Sequence, residues 1–289
     1  MKSVEAFEEH RHHLFGVAYR MLGSVSEAED VVQDTWLRWR AVPEGEVRST
    51  RGYLTTVATR LAIDRLRSAQ RRREEYVGPW LPEPLVTDDD PAATAELADS
   101  LSMAFLLVLE RLNPVERAVL LLHDVFGYDY DEVAEIVERT PGNCRQIASR
   151  ARSHLTAERP VRPRPRQEDE QRLAFAFAAA AGSGDLATLE GLLAEDVVLW
   201  SDGGAAQRAA RRPVVGRDRV ARFIVNVAKR VPVDGTFEYV HLNGEPAMIV
   251  RAERGPFMTM AVELADGAIC AIHTVTNPDK LRHLAEPTS

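Results

Sequence analysis

Apolar residues return every three or four positions along residues 26–40, which is the pattern of a helix with one buried face. The positions on that face are Ala28, Val31, Val32, Trp36 and Trp39. The opposite face carries Asp30, Gln33 and Asp34. Ser26, followed three residues later by Glu29, predicts a capping box at the start of this helix. The sequence therefore predicts an amphipathic helix that exposes an acidic and amide-bearing stripe.

The same periodicity predicts helices over residues 5–23 and 53–74, and the second of these is strongly basic. Its arginines are Arg60, Arg65, Arg67, Arg71, Arg72 and Arg73. Only Asp64 and Glu74 oppose them. Because the whole chain has a net charge of −8, a phosphate-binding surface would need its cations concentrated in this way. The alternative is a solvated helix end whose cations are stabilised by the helix dipole.

Helical spacing returns from Leu101, after a stretch rich in proline and acidic residues. Two capping boxes follow, Asn113 with Glu116 and Asp129 with Glu132. The second predicts a helix over residues 130–139, which a break at residues 140–142 separates from another helix over residues 143–155. The last helix contains several arginines and no acid. A helix, a short turn with glycine and a basic helix are typical of a DNA-binding helix-turn-helix.

The C-terminal part of the chain changes from helical to alternating patterns. An alanine-rich helix is predicted over residues 173–181, and residues 182–185 open a second helix that ends at residue 193. Alternation then predicts strands over residues 197–200, 238–242, 247–252, 259–264 and 268–275. Helices followed by a meander of strands indicate an α+β domain. The candidates for proton transfer, Asp202, His241, Glu263 and His273, have no spacing that arranges them for catalysis.

Cysteine and histidine usage argues against a disulfide framework and a metal site. Cys144 and Cys270 lie far apart without CxxC spacing, which favours a reducing compartment. His10, His12 and His13 have no carboxylate or cysteine at matching spacing, so we expect no metal and no cofactor. No apolar run reaches the ~18 residues of a membrane span, and no signal-peptide core is present. We therefore expect a cytoplasmic protein.

The first helical region resembles the sigma-70-type transcription initiation factors, and most closely their extracytoplasmic-function (ECF) subfamily. The resemblance rests on E-D-V-V-Q-D-x-W at residues 29–36, preceded by Y-R-M-L-G-S at 19–24, and on A-x-R-x-x-x-D-x-x-R at 58–67. It implies that core RNA polymerase is a partner, bound through Asp30, Gln33 and Asp34. It also implies that the melted minus-ten promoter strand is held by Arg60, Asp64 and Arg67.

The helix-turn-helix, with its R-A-R tail at residues 150–152, resembles the region of sigma factors that reads the minus-thirty-five promoter element. In that family the first two turns of the recognition helix enter the major groove. The resemblance implies that Arg145, Gln146 and Ser149 contact base edges. It implies that Arg150 and Arg152 contact phosphates.

The C-terminal region resembles a SnoaL-like cone through GDLATLEGLLAEDVVLWSDGG at residues 184–204 and VVGRDRVARFI at residues 214–224. In ECF factors with this extension the cone is regulatory, and GPWLPEP at residues 78–84 resembles the start of their linker. An NPDKL signature is present in full, whereas a DGGGK signature ends early because Ala205 and Ala206 replace its last two residues. The implied contacts to the other domains are Asp202, Gly203, Gly204, Asn277, Pro278, Asp279, Lys280 and Leu281.

We expect a multidomain protein with two all-α domains, the second with a helix-turn-helix, followed by an α+β SnoaL-like cone. The predicted segments are a polymerase and minus-ten domain (1–76), an acidic linker (77–100), a minus-thirty-five domain (101–157), a second linker (158–170) and the cone (171–289). The predicted function is a non-enzymatic sigma factor whose cone is open to a small-molecule ligand. The alternatives are a ligand-gated helix-turn-helix regulator and a SnoaL-type isomerase or hydrolase with a DNA-binding appendage.

Overall fold

The computed structural model describes residues 4–43, 45–87, 100–158, 167–205 and 207–285. Residues 88–99 of the predicted acidic linker, residues 159–166 of the second linker, and Ala206 lie outside the described residues. The chain forms two compact units, which divide it differently from the predicted segments. One unit comprises Met1–Glu75 and Thr94–Pro160, and the other comprises Tyr76–Ala93 and Val161–Ser289. We call these the helical unit and the C-terminal unit.

The helical unit is built from helices that carry both predicted DNA-binding regions. The first three are α1 (Val4–Leu22), α2 (Val25–Ala41) and α3 (Thr50–Glu74). They are followed by α4 (Met103–Leu109), α5 (Pro114–Leu120), a π-helical turn (Leu121–Val125), α6 (Tyr130–Val137) and α7 (Pro141–Glu158). The predicted capping boxes of Asn113 with Glu116 and of Asp129 with Glu132 are confirmed at the starts of α5 and α6.

The predicted capping box of α2 is wrong. Ser24, not Ser26, is the N-cap, and its hydroxyl oxygen accepts a hydrogen bond of 3.2 Å from the backbone nitrogen of Glu27. Gly23 has a positive φ of 64°, a conformation that suits glycine, and it ends α1 so sharply that α2 begins at once. The acidic stripe of α2 keeps its position because the helical register is unchanged.

The predicted break between α6 and α7 lies two residues earlier than expected, at residues 138–140 instead of 140–142. Glu138 adopts the left-handed conformation that ends α6, whereas Pro141 and Gly142 already belong to the first turn of α7. The hydroxyl of Thr140 accepts a hydrogen bond of 3.2 Å from the backbone nitrogen of Asn143. Proline fits the first turn of a helix because its missing N–H would have no partner there.

A buried ionic network joins α1 and α3 to α4 and α5. Glu110 accepts hydrogen bonds from Arg73 and, at 2.8 Å, from Arg117. Arg117 is 1% exposed, and it also donates to the carbonyl oxygen of Met21 at 2.8 Å. Arg73 donates to the carbonyl of Leu22. Since buried charges are tolerated when they are paired, this network fixes the two predicted helical domains into one packed unit.

A smaller polar cluster joins the same two parts of the helical unit. His13 Nε2 on α1 lies 3.2 Å from the Thr55 hydroxyl on α3 and 3.1 Å from the Tyr128 hydroxyl. The Thr55 and Tyr128 hydroxyls are 2.9 Å apart. Burial, together with the charge of Arg51, lowers the pKa of His13 from 6.5 to about 4. His13 is therefore neutral at physiological pH and serves as a hydrogen-bonded packing group.

The C-terminal unit is an α+β fold, as predicted. Its helices are α8 (Gln167–Ser183), α9 (Leu186–Leu192), α10 (Arg217–Ala228) and α11 (Pro278–Leu281), and a short 3-10 turn (Arg282–Leu284) follows. Its strands are β1 (Leu193–Asp202), β2 (Val214–Val215), β3 (Thr236–Leu242), β4 (Glu245–Ala252), β5 (Gly255–Ala265) and β6 (Ala268–Val275). The strand order is β2-β1-β6-β5-β4-β3. Only two residues form β2, and the sequence analysis missed it.

Antiparallel pairing dominates the sheet, and β1 pairs with β6 in parallel. Apolar residues of α8, α9 and α10 pack on the sheet and form the core. Its members include Phe177, Leu189, Val220, Ile224, Leu199, Val262 and Ile272. Because β1 and β6 are parallel neighbours, their carboxyl ends lie side by side, and Asp202 is paired there with Val275. Both predicted regulatory motifs begin there.

Candidate functional site

The exposed stripe of α2 lies beside a groove between α1 and α2. Asp30 and Gln33 are exposed and line this groove, which has a volume of about 370 Å³. Trp36 also lines it, with its ring centroid 5.0 Å from that of Phe7. A mixed apolar and acidic groove of this kind can accept a helical or basic partner surface.

Arg65 of α3 holds the two carboxylates of the stripe, a contact that the sequence analysis missed. Its Nη1 lies 3.1 Å from Asp30 and its Nη2 lies 2.6 Å from Asp34. The two aspartates are one helical turn apart, so the guanidinium offsets their mutual repulsion. A basic residue in a helix that packs on an acidic stripe is the signal that would have predicted this contact.

The structure brings the three predicted minus-ten residues together on α3. Arg60, Asp64 and Arg67 line one depression of about 190 Å³, and Arg67 pairs with Asp64 at 3.0 Å. Arg60 donates to the carbonyls of Glu135 and Ile136, at 2.9 and 3.0 Å. It also pairs with Glu138 at 3.0 Å. These contacts cap the carboxyl end of α6, so Arg60 is engaged inside the helical unit in this arrangement.

The predicted recognition helix, α7, has one buried face and one exposed face. The buried side chains are Cys144, Ile147, Ala148 and Ala151, at intervals of three and four residues. The exposed residues include all five predicted DNA contacts, namely Arg145, Gln146, Ser149, Arg150 and Arg152. The structure therefore presents these side chains on a single surface of α7.

The two predicted phosphate contacts, Arg150 and Arg152, differ in the charge of their surroundings. Arg152 forms two hydrogen bonds with Asp124, at 2.8 and 2.5 Å, and these raise its pKa further. Arg150 Nε lies 3.4 Å from the carbonyl oxygen of Gln146. Because the Asp124 carboxylate offsets the charge of Arg152, Arg150 is the stronger candidate for attracting a phosphate.

In the C-terminal unit, Asp202 is the centre of a buried polar cluster. It accepts hydrogen bonds from the Tyr76 hydroxyl (2.5 Å) and from the backbone nitrogens of Leu81 (2.9 Å) and Gly204 (3.0 Å). Lys280 pairs with it at 2.7 Å and donates to the Leu81 carbonyl. Burial and the hydrogen bond to Asp202 raise the pKa of Tyr76. Because this cluster holds the segment of residues 76–87, which we call the strap, we call Tyr76, Leu81, Asp202, Asn277 and Lys280 the strap cluster.

Aromatic rings and an amide complete the strap cluster. Lys280 Nζ lies 4.2 Å from the ring centroid of Trp80 and 4.9 Å from that of Tyr76, which are cation–π distances. Asn277 donates to the Tyr76 hydroxyl at 2.7 Å. The two predicted motifs therefore meet each other and together bind residues 76–81. The GPWLPEP stretch predicted as linker begins within this bound segment.

The bound segment continues to the β3–β4 turn. Leu85 exchanges hydrogen bonds with Asn243, at 3.0 and 2.8 Å, and Val86 forms an antiparallel bridge with Leu242. His283 donates to the Pro84 carbonyl at 2.7 Å. Residues 76–87, the strap, are thus held at both ends by the rest of the C-terminal unit.

Both glycines of the DGG motif are required by close packing. A Cβ atom on Gly203 would lie 2.7 Å from the carbonyl oxygen of Gln207, and one on Gly204 would lie 2.8 Å from Asn277 Nδ2. Gly204 also has a positive φ of 58°. The motif is therefore a tight turn that aims Asp202 at the strap.

No group of three or more His, Cys, Asp or Glu side chains in the described ranges is placed to hold a metal ion. Of the helices in those ranges, none combines the length and the apolar character that a bilayer crossing requires. Of the proton-transfer candidates, Asp202 is committed to the strap cluster. His273 is stacked on Trp200, and burial lowers its pKa to about 3.

Comparison with known proteins identifies the family of this chain. The Sigma-70 region 2 model matches residues 6–72, and the Sigma-70, region 4 model matches residues 102–155. The ECF RNA polymerase sigma factor SigJ of Mycobacterium tuberculosis is 39% identical over 290 residues, which cover 96% of this chain and 92% of SigJ. The chain belongs to the ECF family of RNA polymerase sigma factors. Its predicted membership of that family is confirmed.

Two further comparisons agree with this sigma-factor assignment. The probable ECF sigma factor SigI of Mycobacterium tuberculosis is 32% identical over 281 residues, covering 96% of this chain and 93% of SigI. The crystal structure of Mycobacterium tuberculosis SigJ matches with a TM-score of 0.76 and 34% identity, covering 99% of this chain and 100% of that one. The predicted fold class, helical sigma regions followed by a mixed-sheet domain, is confirmed. The alternative of a ligand-gated helix-turn-helix regulator leaves residues 26–74 without a role, whereas the Sigma-70 region 2 model matches residues 6–72.

Proposed function

We propose that this sigma factor binds core RNA polymerase through the α1–α2 surface, recognises promoter DNA through α3 and α7, and directs transcription initiation in the cytoplasm. The observation that carries the proposal is the division of α7 into a buried apolar face and an exposed face with every predicted DNA contact. The functional division that we propose places polymerase and minus-ten binding in residues 1–76 and minus-thirty-five reading in residues 101–157. Residues 77–100 connect these two parts, and residues 158–170 connect the second part to a regulatory domain at 171–289.

Polymerase docking is supported by the charge and shape of the α2 surface. Asp30 and Gln33 are exposed at a groove that also contains Trp36, and Arg65 fixes both Asp30 and Asp34. Three acidic residues, one arginine and several apolar side chains line this groove, and such a surface suits a basic, helical partner. The double variant Asp30→Ala with Asp34→Ala should weaken binding to core polymerase while changing the stability by less than ~0.5 kcal/mol.

A matched control for docking is Asp218→Ala, which removes an exposed aspartate of α10 that is also paired with an arginine one turn away. Equilibrium titration of labelled core polymerase with each variant provides the measurement. Wild-type affinity in the folded double variant would exclude the docking assignment.

Minus-ten recognition requires a rearrangement of the helical unit. Arg60 is engaged by the carboxyl end of α6, so a promoter strand can use Arg60 only after α6 has moved away. Asp64 and Arg67 are exposed beside it. We infer that the packed helical unit is a resting arrangement and that polymerase and DNA binding separate α3 from α6.

Base reading by α7 is tested with a library of minus-thirty-five elements. Arg145→Ala and Gln146→Ala should each relax the preference at one or two base pairs, at a cost of about 1–3 kcal/mol. Arg222→Ala, an exposed arginine of α10, is the control and should leave the preference unchanged. If both α7 variants retain the wild-type preference, base reading lies elsewhere on the helix.

The C-terminal unit is proposed to regulate initiation by holding the strap. The strap lies between α3 and α4 in the chain, so its capture limits how much of the connection between the minus-ten and minus-thirty-five regions can extend. Lys280→Met, which keeps an apolar stem but removes the cation, should release the strap and change promoter-dependent transcription. Unchanged transcription, together with demonstrated exposure of the strap to hydrogen exchange, would contradict this role.

A regulatory rather than catalytic cone is part of the same proposal. Asp202 is used for strap binding, and His241 and His273 lie on β3 and β6, which are separated by two strands. The proposal includes a small-molecule ligand that binds the cone and thereby changes how the cone holds the strap. His241→Gln should leave transcription initiation at the wild-type rate, and a loss of activity at normal stability would favour a chemical role.

A further inference from the structure

We propose that Tyr130 is a positioning residue for promoter recognition, because it holds Arg145 and Arg152 of the recognition helix in place. This inference rests on the proposed base reading by α7. From the sequence, Tyr130 is predicted only to be the first residue of a helix. The structure places it between the π-helical turn and the DNA-facing surface of α7.

Three side chains converge on Tyr130. The His123 ring is stacked on the Tyr130 ring, with the centroids 3.9 Å apart and the planes 24° from parallel. The guanidinium carbon of Arg145 lies over the Tyr130 ring, 5.4 Å from its centroid. Arg152 Nη2 lies 3.4 Å from the Tyr130 hydroxyl. One aromatic ring therefore contacts both arginines that flank the exposed surface of α7.

The support behind Tyr130 is itself fixed by hydrogen bonds. His123 Nδ1 lies 2.8 Å from the Tyr128 carbonyl, which can only accept, so His123 donates from that nitrogen. Asp124, the next residue in the π-helical turn, holds Arg152 through two hydrogen bonds of 2.8 and 2.5 Å. A π-helical segment often marks a functional position, and here it brings His123 and Asp124 toward α7.

The helix geometry explains why one ring reaches both arginines. Arg145 and Arg152 are seven residues apart, so they lie on the same face of α7 two turns from each other. Tyr130 is the first residue of α6, and the capping box of Asp129 and Glu132 fixes the backbone at that point. The ring therefore lies beside α7 and is attached to a backbone position that the capping box fixes.

Such a support matters because arginine reads guanine through a planar, bidentate fork. A free arginine side chain loses conformational freedom when it is immobilised on a base. A guanidinium already held over an aromatic ring loses less, and the direction of its fork is set in advance. Tyr130 thus contributes to base discrimination without touching DNA.

The test compares Tyr130→Leu with Tyr130→Phe in the full-length protein bound to core polymerase, on a library of minus-thirty-five elements. Tyr130→Leu removes the aromatic face and should reduce discrimination at the base pair read by Arg145 by about two- to fivefold. Preferences at the other positions should be unchanged. Tyr130→Phe keeps the ring and should keep the preference. Adding Arg145→Ala to Tyr130→Leu should cause no loss beyond that of Arg145→Ala alone.

A second variant covers the case in which Tyr130→Leu disturbs α6. His123→Ala changes no residue of α6 but removes the stacked support and the hydrogen bond to the Tyr128 carbonyl, and the same position-specific loss of discrimination would support the proposal. An unchanged preference in the folded Tyr130→Leu or His123→Ala variant, while Arg145→Ala loses it, would overturn the positioning role alone. A uniform loss at all base pairs would also overturn it, because that is the effect of structural damage. If Arg145→Ala itself keeps the preference, both base reading by Arg145 and its positioning by Tyr130 fail.

Discussion

The recognition helix and the strap cluster both rely on charged side chains, but they differ in exposure. Arg145, Arg150 and Arg152 lie on the surface of α7, where water and salt screen them. Asp202 and Lys280 are 1% and 7% exposed, and their side chains interact with each other, with the strap and, for Asp202, with the backbone nitrogen of Gly204. Exposed charges are available to a partner and cost little to change, whereas buried charges hold the chain together.

The same contrast exists within the helical unit. Arg117 and Glu110 form part of a buried network that joins α1 and α3 to α4 and α5. Asp30 is exposed on α2 and pairs with Arg65 at the surface. Residue type does not separate these roles, because both pairs join an arginine to a carboxylate. Burial separates them.

The largest effect is expected from breaking the buried pair of the strap cluster. Lys280→Ala leaves the Asp202 carboxylate buried without its cation, so we expect the C-terminal unit to lose about 3–5 kcal/mol. Urea denaturation measures the loss, and hydrogen exchange at the Leu81 amide, which donates to Asp202, reports release of the strap. Lys229→Ala, an exposed lysine after α10, is the control. Equal stability of the two variants would contradict the structural role of Lys280.

Adding Asp202→Asn to Lys280→Met removes both charges of the pair. This double variant should recover part of the stability lost by Lys280→Met alone, since no uncompensated charge is left buried. A strictly additive result would show that the pair is not coupled.

Acid should destabilise the helical unit through His13. Its pKa in the folded protein is about 4, below the ordinary 6.5, so the unfolded chain binds more protons between these values. The stabilising contribution of neutral His13 is therefore complete above about pH 6.5 and is lost as the pH falls toward 4, to a limit of about 3 kcal/mol. The charged groups that lower the pKa are Arg51, His10, Arg20 and His12.

Denaturant melts between pH 7 and pH 4 measure this effect. His13→Asn should flatten the pH dependence, because asparagine retains hydrogen bonding to Thr55 and Tyr128 without titrating. His12→Asn is the matched control, since His12 is exposed and one residue away. An identical pH dependence in wild type and His13→Asn would exclude the role of His13.

A smaller loss is expected from the turn that aims Asp202. Gly204→Ala forces a Cβ into a positive-φ position and against Asn277, so we expect a loss of about 1–3 kcal/mol. Gly191→Ala in α9 has no atom within 4 Å of the added Cβ and should instead stabilise by about 0.5–1 kcal/mol. Thermal melts of both variants provide the measurement, and equal behaviour would refute the packing argument.

The smallest stability effect, below ~0.5 kcal/mol, is expected on the DNA-facing surface. Arg150→Ala should lower the salt dependence of promoter binding by about one unit of slope. Arg152→Ala should lower it by less, because Asp124 already offsets the charge of Arg152. Binding measured across a salt series distinguishes the two. An equal reduction would show that the Asp124 pair opens on DNA.

The sequence predicted much of the local structure. The capping boxes of α5 and α6, the acidic stripe of α2 and the five longer strands of the C-terminal unit follow from patterns of neighbouring residues. The sigma-70 motifs also lie in short stretches. Mistakes occurred where a neighbouring element decided the outcome, as at Ser24, where Gly23 ends α1 so sharply that α2 begins two residues early.

Long-range contacts were decided only by the tertiary structure. Arg65 with Asp30, Arg60 with the end of α6, and Lys280 with Leu81 each join residues far apart in the chain. Nothing in a spacing of 199 residues predicts that Lys280 will meet the strap. Local patterns determine which elements form because helices and strands repeat every few residues. Packing of whole elements determines which charges are buried, and so which of them hold the fold and which remain available to polymerase and DNA.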